Sequence, residues 1–130
     1  MRGCLASSAI KPDDIDCVIS TACSGPIDEA ELLALADVFS SKPDVPIANI
    51  ISWTGANLDI GLPNIVAAIY CLNSNTIPGV RNYQSTGTQK RHNISPNHRA
   101  GNLTRILVNA HGWGGHQASA LVQKYDGSHA

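Results

Sequence analysis

No histidine occurs between Met1 and Lys90, so acid–base or metal chemistry in that part of the chain cannot rest on an imidazole. No acidic residue occurs between Asp59 and Asp126, although Arg81, Lys90, Arg91, Arg99, Arg105 and Lys124 fall there. That one-signed stretch reads either as a solvated basic loop or as a docking surface for an acidic partner. Net charge over the 130 residues is nevertheless -1, which argues against a general nucleic-acid binder. The four cysteines (Cys4, Cys17, Cys23 and Cys71) show no CxxC spacing and read as buried thiols of a reducing compartment. No apolar core of about seven residues follows Met1, so the N-terminus is not read as a secretory signal. The longest apolar stretch, Ile60 to Leu72, is interrupted by Pro63 and Asn64 and is too short to span a bilayer. A soluble, cytoplasmic protein without membrane or nucleic-acid contact is expected. Asn102-Leu103-Thr104 fits a glycosylation sequon, a reading with little weight when no secretory signal accompanies it.

What is present alternates between two periodicities. Asp16 to Thr21 is a short apolar run with β-branched residues that ends in Ser24-Gly25-Pro26, the pattern of a buried strand. Asp28 to Phe39 opens with acids and carries Leu32, Leu33, Leu35, Ala36 and Phe39, which suits a helix whose dipole is matched at its first turn. Ile47 to Ser52 reads as a second buried strand, and Asn57 to Ser74 as a helix that becomes regular near Leu62. Residues 81–102 are polar, rich in Gly, Pro, Ser and Asn, and read as a long loop. Leu103 to Ala110 and Gln117 to Tyr125 read as strands joined by a tight turn at Gly112-Trp113-Gly114-Gly115. Strands alternating with helices imply a mainly parallel sheet, and the final hairpin adds an antiparallel edge. The whole chain, 1–130, reads as one domain, long enough to bury roughly two-thirds of its unfolded surface.

One helix does not fit a free-standing domain of this size. From Ile65 through Leu72 it has no polar face, and a helix apolar all round is buried on all sides. The chain therefore expects a partner or a second half.

Five sequence words then carry a resemblance: IKPDDIDCVIS at 10–20, DEAE at 28–31, IISWTGA at 50–56, the helix with its Ile77-Pro78 exit, and LVNAHGWGGHQASALVQ at 107–123. In this order and spacing the chain resembles the C-terminal half of the β-ketoacyl-ACP synthase family of condensing enzymes. The resemblance implies an α/β, thiolase-like half: one side of a five-layer sandwich, whose N-terminal half is absent. It also implies chemistry by a cysteine in that absent half and by two histidines and a lysine in this one, with a glycine turn and its phenylalanine gating the pocket. The two histidines would stabilise the oxyanion formed during decarboxylation and keep the thiolate reactive.

At each chemical position this sequence departs from that pattern. By the resemblance the first histidine falls at Ser20, the second at Ala56 and the lysine at Ile51, so no catalytic residue is assigned here. Ser52, Thr54, Gly55, Gly112, Gly114 and Gly115 keep the scaffold, and Trp113 replaces the gate phenylalanine. Thr54, Gly112, Trp113, Gly114 and Gly115 are the expected lining of a substrate pocket. Thr21-Ala22-Cys23-Ser24 imitates the family's nucleophile word, but it follows the lead-in of the histidine strand, and Gly25-Pro26 would break the small-residue helix expected next. Cys23 is therefore read as a buried or pocket-edge thiol. His111 and His116 bracket a hairpin without a third ligand, so no metal is expected, and no cofactor is. His111 replaces the residue before the first turn glycine and is expected to face the pocket, whereas His92 and His98 are expected to be solvated. The expected role is a non-catalytic, chain-length-factor-like subunit of fatty-acid or polyketide-type biosynthesis, partnered by an active ketosynthase or the absent half, and by acyl carrier protein. The alternative is the distal half of a divergent synthase or acyltransferase whose nucleophile lies on an N-terminal part.

Overall fold

The computed structural model describes residues 1–21, 26–55, 61–84, 92–112, 114–125 and 127. Its main sheet runs in the order β4-β2-β1-β6-β7. Strand β1 (Cys17–Ser20) lies at its centre, parallel to β2 (Pro46–Asn49) on one side and to β6 (Arg105–His111) on the other. Strand β4 (Asn93–Ile94) extends the parallel part, and β7 (Gln117–Gln123) pairs antiparallel with β6 from Arg105↔Gln123 to His111↔Gln117. The mainly parallel sheet with an antiparallel C-terminal hairpin is the architecture expected from the sequence.

All four residues of β1 are buried, because helices cover both of its faces, and such a strand reads as a continuous apolar run. Alternation then sorts side chains into two cores. Val18, Ile47 and Leu107 meet Leu5 of α1 (Arg2–Ser7) and Leu32, Leu35 and Val38 of α2 (Pro26–Val38). Cys17, Ile19, Ile106 and Val108 meet Ala68, Cys71 and Leu72 of α4 (Gly61–Ser74). Among the described residues no helix is long and apolar enough to cross a membrane.

Three differences from the sequence reading have local causes. The strand expected over Ile47–Ser52 stops at Asn49. There the Asn49 side-chain oxygen accepts from the Ser52 amide at 3.0 Å, and the Ser52 hydroxyl donates to the Asn49 carbonyl at 3.1 Å. This asparagine turn starts α3 (Ile51–Thr54), which Gly55 ends at φ 76°, a conformation that suits glycine. The stretch read as one loop, 81–102, holds β4 and β5 (Arg99–Ala100), and β5 pairs with β3 (Thr76–Ile77). Both strands are two residues long, too short to leave a periodic signal. Helix α1 and the 3-10 turn at Pro12–Asp14 have no counterpart in the sequence reading.

The starts of β1 and β6 are fastened by one side chain. Asp16 Oδ2 accepts from the Thr104 amide (2.7 Å), the Thr104 hydroxyl (2.9 Å) and the Arg105 amide (2.9 Å). Partial burial alone would raise this carboxyl's pKa, but the three donors hold it below its ordinary value. A carboxylate with a depressed folded pKa contributes stability above its unfolded pKa and loses it as pH falls through the folded value. Asp16→Ala is therefore expected to cost about 1–2 kcal/mol at neutral pH. The gap to the unaltered chain should begin to narrow below about pH 4, near the unfolded value, and close only below the depressed folded value. Urea midpoints measured at both pH values check this, and a gap that persists in acid would contradict the assignment.

Candidate functional site

Two features on opposite faces of the sheet gather the residues singled out in the sequence. The first is a buried polar network where β1 and β6 end. Ser20 closes β1 and is 1% exposed. Its hydroxyl donates at 2.8 Å to Oε2 of Glu31, which α2 carries on the same face as buried Leu35 and Val38. The same oxygen faces the Thr21 amide at 3.2 Å and the Thr21 hydroxyl at 3.5 Å. The other oxygen, Oε1, accepts from Asn109 Nδ2 of β6 at 2.8 Å. Asn109 Oδ1 in turn accepts from the Ser119 hydroxyl of β7 at 2.9 Å, and its backbone carbonyl accepts from Asn64 Nδ2 of α4 at 3.1 Å. A buried carboxylate is costly unless hydrogen-bonded, and this one joins β1, α2 and β6. Ser20, which stands where the resemblance puts a histidine, is directed at α2.

The second feature is an open groove of about 810 Å³ along α4, walled by Trp53, Thr54, Leu62, Val66, Tyr70 and Pro78, with no Asp, Glu, Lys or Arg among the described residues that line it. Helix α4 turns Asn64, Ala68, Cys71 and Leu72 into the core, while Leu62, Val66 and Tyr70 stay 59%, 58% and 72% exposed. Those exposed residues recur every four positions, one ridge of a helix surface. Among the described residues, the helix read as apolar all round is thus covered on one side only.

Trp53 is held at the groove's rim. Its indole nitrogen donates to the Gly79 carbonyl at 2.7 Å, its ring lies 5.7 Å from the His98 imidazole at a 32° tilt, and the Arg81 guanidinium sits 5.7 Å above it. Gly79 has no room for a side chain, since a Cβ would come within 2.8 Å of the Asn97 carbonyl carbon. His98, expected to be solvated, is exposed but also accepts from the Gly79 amide at 3.4 Å. His92, expected likewise, is only partly exposed, and burial pulls its pKa down.

The expected pocket residues that the structure describes fall on two elements, α3 and the turn between β6 and β7. Thr54 lines the groove, and Ile51 precedes it on α3. Gly112, Gly114 and Gly115 sit in the turn between β6 and β7. There the Gly115 amide donates to the Gly112 carbonyl at 3.0 Å and the Gly112 amide to the His116 carbonyl at 2.7 Å, with Gly115 at φ 81°. Ala56, Trp113 and Cys23 lie outside the described residues. The thiols of Cys17 and Cys71 are buried, as expected, and desolvation pushes them up to about 12 and about 11, with Cys71 adding to the shift at Cys17. Such thiols stay protonated and are poor nucleophiles. Among the described residues no group of three His, Cys, Asp or Glu side chains could hold a metal ion.

Sequence reasoning saw Glu31 only as the last letter of DEAE. The usable signal was its position four residues before Leu35, on the apolar side of α2, where an acid requires partners. Ser20 lies 11 residues from Glu31 and Asn109 lies 78 away, so the network joins near and distant strands and could not be read from spacing.

The family model described as "Beta-ketoacyl synthase, C-terminal domain" matches residues 1–84. No curated protein matches the chain. Among solved structures, "The ishigamide ketosynthase/chain length factor" superposes with a TM-score of 0.81 at 19% identity over 95% of this chain and 31% of that one. A type II PKS acyl-carrier protein in complex with its ketosynthase bound to the hexaketide gives 0.86 at 19% identity over 94% and 31%. A β-ketoacyl synthase from Burkholderia phymatum STM815 gives 0.82 at 20% identity over 93% and 30%. The chain thus spans about a third of the length of these solved relatives.

Proposed function

The chain belongs to the β-ketoacyl synthase family through its C-terminal domain, and from that premise we propose that it acts as a non-catalytic, chain-length-factor-like unit. The observation that carries this reading is what occupies the family's chemical positions. Ser20 is buried and bonded to Glu31, Ile51 has no amine, and Ala56 has no imidazole. Removing one donor to an oxyanion typically costs about 10²–10³ in rate, and neither histidine of the family pattern is present. The scaffold residues remain, and the α4 groove offers an uncharged wall to an acyl chain or to a packed helix. Trp113, bulkier than the family's phenylalanine, would shorten an acyl tunnel. The partner is an active ketosynthase subunit, or an N-terminal half that covers α4. Acyl carrier protein, an acidic partner, would meet the stretch that carries Arg81, Arg99, Arg105 and Lys124.

A second reading is favoured by length. Since the chain spans about a third of its solved relatives, it would be the distal part of a divergent synthase or acyltransferase whose nucleophile lies elsewhere. One experiment separates the two. The tagged chain is co-expressed with a complete ketosynthase, and condensation of malonyl-ACP is followed with and without it. Retention of the ketosynthase and a change in product length, without turnover by the chain itself, supports the subunit reading. No retention sinks it. Turnover that appears only when an N-terminal half bearing a cysteine is supplied establishes the second.

A further inference from the structure

We propose that Glu31 and His111 form a carboxylate–imidazole dyad that accepts a proton from water, or from a hydroxyl or thiol of similar size, in the cavity beside them. This goes beyond the chain-length role and does not depend on it. His111 is the last residue of β6, and its side chain is 16% exposed while that of Glu31 is 2% exposed. His111 Nε2 is buried and has no hydrogen-bond partner among the described residues. The atom it faces is Glu31 Oε2, at 3.5 Å, the oxygen that also receives the Ser20 hydroxyl at 2.8 Å. At the same end of the sheet, the strand expected to end in a histidine offers Ser20, and the neighbouring strand offers the imidazole, both to one carboxylate oxygen.

The geometry determines what such a pair can do. Bonds from Ser20 and Asn109 hold both oxygens of Glu31, so the carboxylate cannot swing away from the ring. A carboxylate opposite Nε2 favours the tautomer protonated there and leaves Nδ1 as the acceptor. When Nδ1 takes a proton, an O–H or S–H bond of the donor breaks, an N–H bond forms, and the electron pair stays on oxygen or sulfur. The resulting imidazolium is stabilised by Glu31, the role a buried carboxylate plays behind a histidine base. The 3.5 Å separation exceeds a hydrogen bond, as such acid–base pairs commonly do before a substrate binds. Both residues line a cavity of about 130 Å³ together with Met1, Ala30, Ala34 and Ser119. At about 30 Å³ per water, this space admits a few waters or one small group.

If Glu31 were only a tether between strands, nothing would fix the tautomer of the imidazole. Long-range ¹H–¹⁵N NMR on the full chain, with His111 assigned through His111→Gln, reads that tautomer directly. The expected result is a neutral His111 protonated at Nε2, unchanged in Ser20→Ala and drifting toward an averaged signal in Glu31→Gln. Diethyl pyrocarbonate should modify His111 in the unaltered chain, and more slowly in Glu31→Gln. A His111 protonated at Nδ1, an averaged signal already in the unaltered chain, or a His111 left unmodified while His98 and His116 react would overturn the proposal. The unaltered chain and Ser20→Ala decide the matter even if Glu31→Gln does not fold.

Discussion

Glu31→Leu is expected to lower the stability of the chain by about 3–5 kcal/mol, the range for removing one side of a buried charged network. Leucine fills much of the volume and fits the apolar face of α2, so the loss is not a packing defect. It arises because the Ser20 hydroxyl, the Thr21 amide and Asn109 Nδ2 lose the Glu31 carboxylate as an acceptor inside the core. Each buried donor left unsatisfied costs about 1–3 kcal/mol. Glu31→Gln keeps an acceptor oxygen and should lose markedly less. Urea unfolding of the three proteins measures the order. If leucine were tolerated as well as glutamine, the network would be incidental to the fold.

Val66→Glu is expected to weaken association with a ketosynthase partner or an N-terminal half by more than about 100-fold, near 3 kcal/mol, while barely changing the chain's own unfolding. Val66 sits mid-ridge on α4 and is 58% exposed, whereas Ala68, two residues on, is 0% exposed. A glutamate at 66 stays in water until a partner covers it, and then becomes an unpaired buried charge. The same residue at 68 must be buried within the chain and should prevent folding. Surface plasmon resonance against the partner, together with thermal unfolding of the free chain, gives both numbers. Equal binding by Val66→Glu and the unaltered chain would show that α4 is not the docking face. Such ridges of exposed leucine, valine and tyrosine are unusual on a free-standing surface and mark interaction sites.

Much of the architecture was legible without coordinates. β1, α2, α4 and the C-terminal hairpin are long or strongly patterned, and local periodicity declares them. Where the sequence reading failed, short polar contacts outweighed hydrophobic pattern. Asn49 ends a strand that the apolar Ile50 and Ile51 would extend by pattern, and the two-residue strands β3, β4 and β5 exist only because the chain returns to pair them.

By itself the sequence determined the family, through motif words in a particular order, because identity at a position needs no coordinates. It also displayed a helix without a polar face from Ile65 through Leu72. Only the tertiary structure decided which face of that helix is left bare, since the side that Ala68 and Cys71 bury is set by the sheet beneath. Only the tertiary structure brought Ser20, Glu31, Asn109 and His111 together, because their proximity depends on the parallel register of β1 and β6 and on the way α2 crosses them.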